Sequence, residues 1–118
     1  MIRLWLAIAG LGGAASVVAG ALAAHLADDP KAAELLRTGA LYGMIHAAAL
    51  LGVIGIGARR PAMRVAGWSF AAGIVLFSGS LFALAAGGPR WLGWMTPFGG
   101  VALIIGWAVL ATLAVHRR

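Results

Sequence analysis

Four long stretches of this chain contain no Asp, Glu, Lys or Arg: Leu4–Ala24, Thr38–Ala58, Val65–Pro89 and Trp91–Val115. Each reaches about 20 residues or more, the helical length that crosses the roughly 30 Å hydrocarbon core of a bilayer. Together they fill most of the protein. Inside hydrocarbon every backbone N–H and C=O must find its partner within the protein, which restricts spanning elements to helices and closed barrels. Barrel strands alternate apolar and polar residues with period two. These stretches are apolar on all faces, so helices follow. The expectation is an all-α integral membrane protein, a four-helix bundle of up-down topology. It forms a single domain over residues 1–118, with spans at about 4–24, 38–58, 65–86 and 96–115.

Composition agrees. The chain is 63% hydrophobic and 10% charged, with a mean hydropathy of +0.99, against about 25% charged residues in a soluble domain. There is too little polar surface to cover a water-soluble particle. Cysteine is absent, which excludes a disulfide, an iron–sulfur cluster or a thiolate metal site built by this chain. A net charge of +6 in a soluble protein points to nucleic acid. Here the basic residues stand at segment ends, where anionic lipid headgroups are the natural counter-charge. The expected partner is the lipid bilayer, not nucleic acid. Arg3 followed by an apolar run and Ala21-Leu22-Ala23 imitates a secretory signal, but the run is longer than a signal core and reads as the first spanning helix.

The distribution of basic residues sets an orientation. Arg3, Arg59, Arg60, Arg64, Arg117 and Arg118 fall on one side, whereas Lys31, Arg37 and Arg90 fall on the other with all three acids, Asp28, Asp29 and Glu34. The positive-inside rule then places both termini and the Arg59–Arg64 loop in the cytoplasm. Tryptophan prefers the headgroup level, and Trp5 and Trp68 fit an inner belt while Trp91 and Trp94 fit an outer one. Trp107 lies mid-helix and is expected to pack against a neighbour. His116, among the terminal arginines, reads as a solvated interfacial residue. Asp29 and Pro30 form a helix start, predicting a rod to Ala58 or a kink at Gly39 or Gly43. Thr96-Pro97 reads as a second cap-plus-proline pair, leaving 87–95 as an outer loop. There is no convincing internal repeat.

The chain has 18 glycines, many at helical spacing. Gly12, Ser16, Gly20 and Ala24 recur every four residues, as do Gly39, Gly43 and Ala47; Ser69, Gly73 and Ser80 lie close to one face. Small residues let helix backbones approach closely where hydrocarbon supplies no hydrophobic driving force. Such faces serve packing within the bundle, a homo-oligomer or a membrane-protein partner.

Few polar side chains lie within the spans. Ser78 and Ser80 act as structural glue or line a polar cavity. His25 ends the first helix, and His46 lies in the second, with Tyr42 one turn earlier on the same face. Intramembrane ionisable residues are functional candidates. The open readings are a proton relay, a paired-histidine haem site, a headgroup or quinone contact, and a hydrogen-bonded structural pair. For His46 the expected partner is Ser78, Ser80 or a backbone carbonyl on an adjacent helix. If it is only structural, His46→Leu should be close to neutral. No Asp, Glu, Lys or Arg lies deep in the bilayer, which argues against a cation pump, a voltage sensor or a charged-substrate carrier. No nucleophile–base set, paired carboxylates, metal cluster or phosphate loop is present. The chain therefore reads as a non-enzyme, without a cofactor or metal.

Five ordered elements carry a resemblance. Gly20-Ala-Leu-Ala-Ala-His25 is a GA-x-x-A-H element and Tyr42-Gly-Met-Ile-His46 a Y-x-x-x-H element. Leu76-Phe77-Ser78-Gly79-Ser80-Leu81, Thr96-Pro97-Phe98-Gly99-Gly100 and Gly106-Trp107 complete the set. In order and spacing they resemble the YgdD-like inner-membrane family, domain of unknown function 423, over nearly the whole chain. Phe82 stands where that pattern has tyrosine. The resemblance implies a small four-helix inner-membrane protein and no particular activity. It marks His25, Tyr42, His46, Ser78, Ser80, Thr96 and Pro97 as motif positions, expected to gather in the outer half of the bundle as a candidate ligand site. Two functions follow as expectations. The first is an accessory or assembly subunit of a larger membrane complex, or a homo-oligomeric structural protein. The second is a carrier or binder of a lipid, quinone or other weakly polar ligand.

Overall fold

A computed structural model describes residues 1–115; the expectations for His116, Arg117 and Arg118 lie outside the described residues. The chain forms four long helices: α1 (Ile2–His25), α2 (Pro30–Gly57), α3 (Pro61–Ala85) and α4 (Met95–Thr112). No strand occurs among the described residues. All four helices are long and apolar enough to cross a membrane.

Local chemistry explains the boundaries. The Asp29 carboxylate accepts the Lys31 N–H at 3.2 Å, and Pro30 takes the first position of α2. The helix then runs 28 residues without a break at Gly39 or Gly43, about 42 Å at 1.5 Å per residue. It exits through Gly57, whose φ of +138° disfavours a side chain, and Pro61 opens α3. At the end of α3, Gly88 N–H reaches Ala83 C=O at 2.8 Å and Gly87 N–H reaches Leu84 C=O at 3.0 Å. Gly87 sits there at φ +92°, the glycine-terminated helix end that returns two free carbonyls to hydrogen bonds.

The segment between α3 and α4, expected to be a loop over 87–95, departs from expectation. Residues Arg90–Trp94 form a 3-10 turn that runs straight into α4 at Met95. Thr96 therefore lies inside α4 and caps nothing; its hydroxyl is drawn across to Ser80. Pro97 falls in the first turn, where its missing N–H has no helical partner to lose.

Sequence neighbours pack antiparallel. Gly13 faces Ala47 and Gly20 faces Ala40, so α2 descends as α1 rises. Gly73 faces Leu103 and Gly106 faces Phe70, giving the same relation for α3 and α4. Between these hairpins α1 lies parallel to α3, with Trp5 against Gly67 and Gly12 against Ile74. In α2 the buried positions Gly39, Gly43, His46, Leu50 and Val53 advance by four and three in turn; Gly99, Leu103 and Gly106 do likewise in α4. This is the seam of helices crossing at a shallow angle. Within α3, Ile74–Ser78 is wound as a π-helical turn, a feature frequent at functional sites.

The bulky core lies towards the end of the bundle that carries both helix starts of α1 and α3. Trp5, Leu50, Val53, Met63 and Phe70 are its largest fully buried side chains. Trp5 was expected in an interfacial belt and is instead 0% exposed. Its indole covers Gly67, where the missing Cβ makes room, and stands edge-on to Trp68 at 5.8 Å. Trp68, Trp91 and Trp94 are exposed, as a belt requires.

Candidate functional site

The half of the bundle towards Asp29 is built differently. Glycine and hydroxyl side chains replace the bulky core, and the motif residues become a set of cross-helix contacts. Gly39 leaves room for the Phe82 ring, and Gly43 leaves room for the Ser16 hydroxyl. The approach exposes the Gly39 carbonyl to α3, where the Ser78 Oγ donates to it at 2.8 Å. Two residues on, the Ser80 and Thr96 hydroxyls share a hydrogen bond of 2.6 Å, joining α3 to α4. Ser80 Oγ also lies 2.9 Å from its own helix's Phe77 carbonyl. With Phe77 C=O accepting from Ser80, the hydroxyl of Thr96 donates in the shared bond.

His46 joins α2 to α4. The Trp107 indole N–H donates to His46 Nε2 at 2.9 Å, and His46 Nδ1 lies 2.6 Å from the Tyr42 carbonyl. Indole nitrogen is a donor only, so Nε2 is the acceptor and the ring proton sits on Nδ1. This is the neutral tautomer, with both nitrogens satisfied. Neither the expected serines nor a carbonyl of an adjacent helix is used: Ser78 and Ser80 are committed elsewhere, and the carbonyl is that of Tyr42, one turn earlier in α2 itself. An aromatic group encloses the imidazole. Tyr42 stacks on it at 6.0 Å and 6°, with Phe70 and Trp107 each at 5.7 Å. Tyr42, His46, Phe77, Gly100 and Trp107 line a lipid-facing groove of about 390 Å3 between α2 and α4. Tyr42 is 41% exposed there.

His25 is not part of this set. It is exposed at the end of α1. Since Gly13 faces Ala47, His46 is level with residue 14 of α1, and His25 lies eleven residues beyond it, about 16 Å along the bundle. The two histidines cannot ligate one group between them, and the paired-histidine haem reading has no geometry here. No cluster of three His, Asp or Glu with metal-binding potential exists among the described residues.

Two features escaped the sequence reading. Trp107 is the partner of His46; its signals were its mid-helix position outside the tryptophan belts and its place in the Gly106-Trp107 element, neither of which pointed to His46. Ser16 is fully buried with no hydrogen-bond partner for its hydroxyl, at the junction where Gly43 and Ser78 meet it. Sequence showed it only as one member of a small-residue stripe.

Four apolar spans, polar groups tied helix to helix and charges confined to the ends define a small multi-pass helical membrane protein. No solved structure matches the chain. The family model "Protein of unknown function (DUF423)" matches residues 19–100, and the chain belongs to this family. Among its relatives is a UPF0382 membrane protein of Staphylococcus epidermidis, 39% identical over 92% of this chain and 93% of that one. The UPF0382 membrane protein YwdK of Bacillus subtilis is 41% identical, covering 81% of this chain and 83% of its own. The UPF0382 inner membrane protein YgdD of Escherichia coli is 36% identical over 98% of this chain and 92% of its own length. The chain is thus a multi-pass protein of the inner membrane.

Proposed function

We propose that this protein is a non-enzymatic membrane subunit that assists or assembles a larger membrane complex, with a homo-oligomer of the chain itself as the near variant. One observation carries the reading: the intramembrane polar groups of His46, Ser78, Ser80 and Thr96 are spent inside the protein, on bonds between helices and, for His46 Nδ1, on a carbonyl of its own helix. None of these four is left aimed at a reacting molecule. What the chain offers outward is an apolar surface, largest on α1 and α4, the least buried spans. Native purification in mild detergent tests this. Co-migration with a larger assembly, or cross-linking between copies, is expected. A free monomer under conditions that preserve known complexes would refute it.

A second reading, a carrier or binder of a weakly polar ligand such as a quinone, is favoured by the groove between α2 and α4. Its wall carries the Tyr42 hydroxyl, which has no protein partner among the described residues, beside the His46 and Trp107 rings. Solvent extraction of the purified protein followed by mass spectrometry should then recover one such molecule, and Tyr42→Phe should lower its yield. Equal recovery from both forms counts against this reading.

A further inference from the structure

We propose that the furrow between α1 and α3 is a binding site for one anionic phospholipid, with the phosphate at the basic end and an acyl chain along the furrow floor. This site is separate from the groove between α2 and α4.

The furrow lies where α1 and α3 run parallel, with Trp5 over Gly67 and beside Trp68, and Gly12 against Ile74. Three apolar hollows follow one another along it. The first, about 350 Å3, lies between Ile8 and Trp68; the second, about 310 Å3, passes Gly12 and Gly79 to Phe82; the third, about 360 Å3, continues to Ala86. Neighbouring hollows share walls, Ile8 and Val75 in one case and Ala15 and Phe82 in the other. The first two span Trp68 to Phe82, about 21 Å at 1.5 Å per residue. One leaflet contributes about half of the roughly 30 Å hydrocarbon core, so a chain from that leaflet fits within this length. The only hydroxyl in the second hollow, that of Ser78, is already bonded to Gly39. The lining therefore selects hydrocarbon.

The mouth selects an anion. Arg64 lies one helical turn before Trp68 on the same face, and Trp68 is exposed at its level. The pairing of Trp5 with Gly67 brings Arg3 to the same height on α1. Arg59 and Arg60 stand in the adjoining turn. Both helices begin here, with no side-chain cap and no acid in the first turn. Their free N–H groups and the arginines thus present positive charge to the same region. All three acidic residues of the chain lie at the opposite end, at Asp28, Asp29 and Glu34. A second copy fits less well, because two chains sharing one orientation in the membrane would bring their arginine clusters together. An anionic lipid supplies both the negative charge and the hydrocarbon.

Native mass spectrometry of the full chain in detergent, with phosphatidylglycerol and phosphatidylcholine of identical acyl chains, tests the site. Retention of one phosphatidylglycerol in preference to phosphatidylcholine is expected. Arg64→Gln should weaken that preference about fivefold, the effect of one basic residue near a membrane surface, while Arg64→Lys keeps it. Gly79→Leu should abolish retention of either lipid with helix content unchanged by circular dichroism, because a Cβ at Gly79 meets nothing within 4 Å. Equal retention of the two lipids, or an undiminished phosphatidylglycerol complex in Gly79→Leu, overturns the proposal. A lipid-free dimer lost in Gly79→Leu also overturns it, in favour of a second copy in the furrow.

Discussion

At the scale of single residues, His46 shows how an intramembrane imidazole becomes structural. Its acceptor nitrogen serves Trp107 and its donor serves the Tyr42 carbonyl. The sequence alone suggested that His46→Leu would be close to neutral. The Trp107 partnership changes that expectation, because leucine strands the indole N–H in a medium without water. Such interhelical bonds contribute about 0.6 kcal/mol on average and up to about 1.7 kcal/mol. His46→Leu should therefore cost about 1–2 kcal/mol, and His46→Ala more, since it also opens a void. Trp107→Phe in the His46→Leu background should add little, because the donor is removed with its acceptor. Unfolding of the single and double variants in micelles gives the coupling energy. Strict additivity would show that the bond contributes nothing.

At the scale of helices, glycine determines how closely α3 and α4 approach. A Cβ on Gly99 would meet the Leu76 carbonyl carbon and the Phe77 Cα at 2.8 Å, both of them backbone. A Cβ on Gly106 would meet the Phe70 ring at 2.5 Å, a side chain that substitution can shorten. Overpacking of this kind typically costs about 1–3 kcal/mol. Gly99→Ala should fall at the upper end and resist rescue by Phe77→Ala, since the obstacle is main chain. Gly106→Ala should recover at least half of its loss when combined with Phe70→Leu. Thermal unfolding in detergent distinguishes the two, and equal rescue at both positions would contradict this account. The same approach of helices brings Ser80 to Thr96 and Ser78 to the Gly39 carbonyl.

At the scale of the whole molecule, the two ends differ in charge. Among the described residues Arg3, Arg59, Arg60 and Arg64 share one end with no acid, and Lys31, Arg37 and Arg90 share the other with Asp28, Asp29 and Glu34. The positive-inside rule orients such a molecule with its termini in the cytoplasm. The native chain has no cysteine, so Arg60→Cys provides a single reporter. That cysteine should escape an impermeant thiol reagent in intact cells and react after permeabilisation. Reaction in intact cells would reverse the orientation.

Four spanning helices and the start of α2 were legible in the sequence because their causes are local. Partition into hydrocarbon depends on some 20 consecutive side chains, and the Asp29-Pro30 start depends on adjacent residues. Which face of each helix points inward was not legible. A helix that is apolar all round carries no stripe to reveal its buried side, and lipid is as apolar as the core. Rotation and register are therefore decided by shape, by where a glycine on one helix admits a bulky group on another. That is why Trp5 left its expected belt for the space over Gly67, and why Thr96 bonds across to Ser80 instead of capping. It also separates His25 from His46 and gives His46 a tryptophan 61 residues away. The sequence by itself determined that the chain lives in a membrane and crosses it four times. The tertiary structure alone decided which polar groups meet there, because in hydrocarbon those meetings follow from interhelical fit.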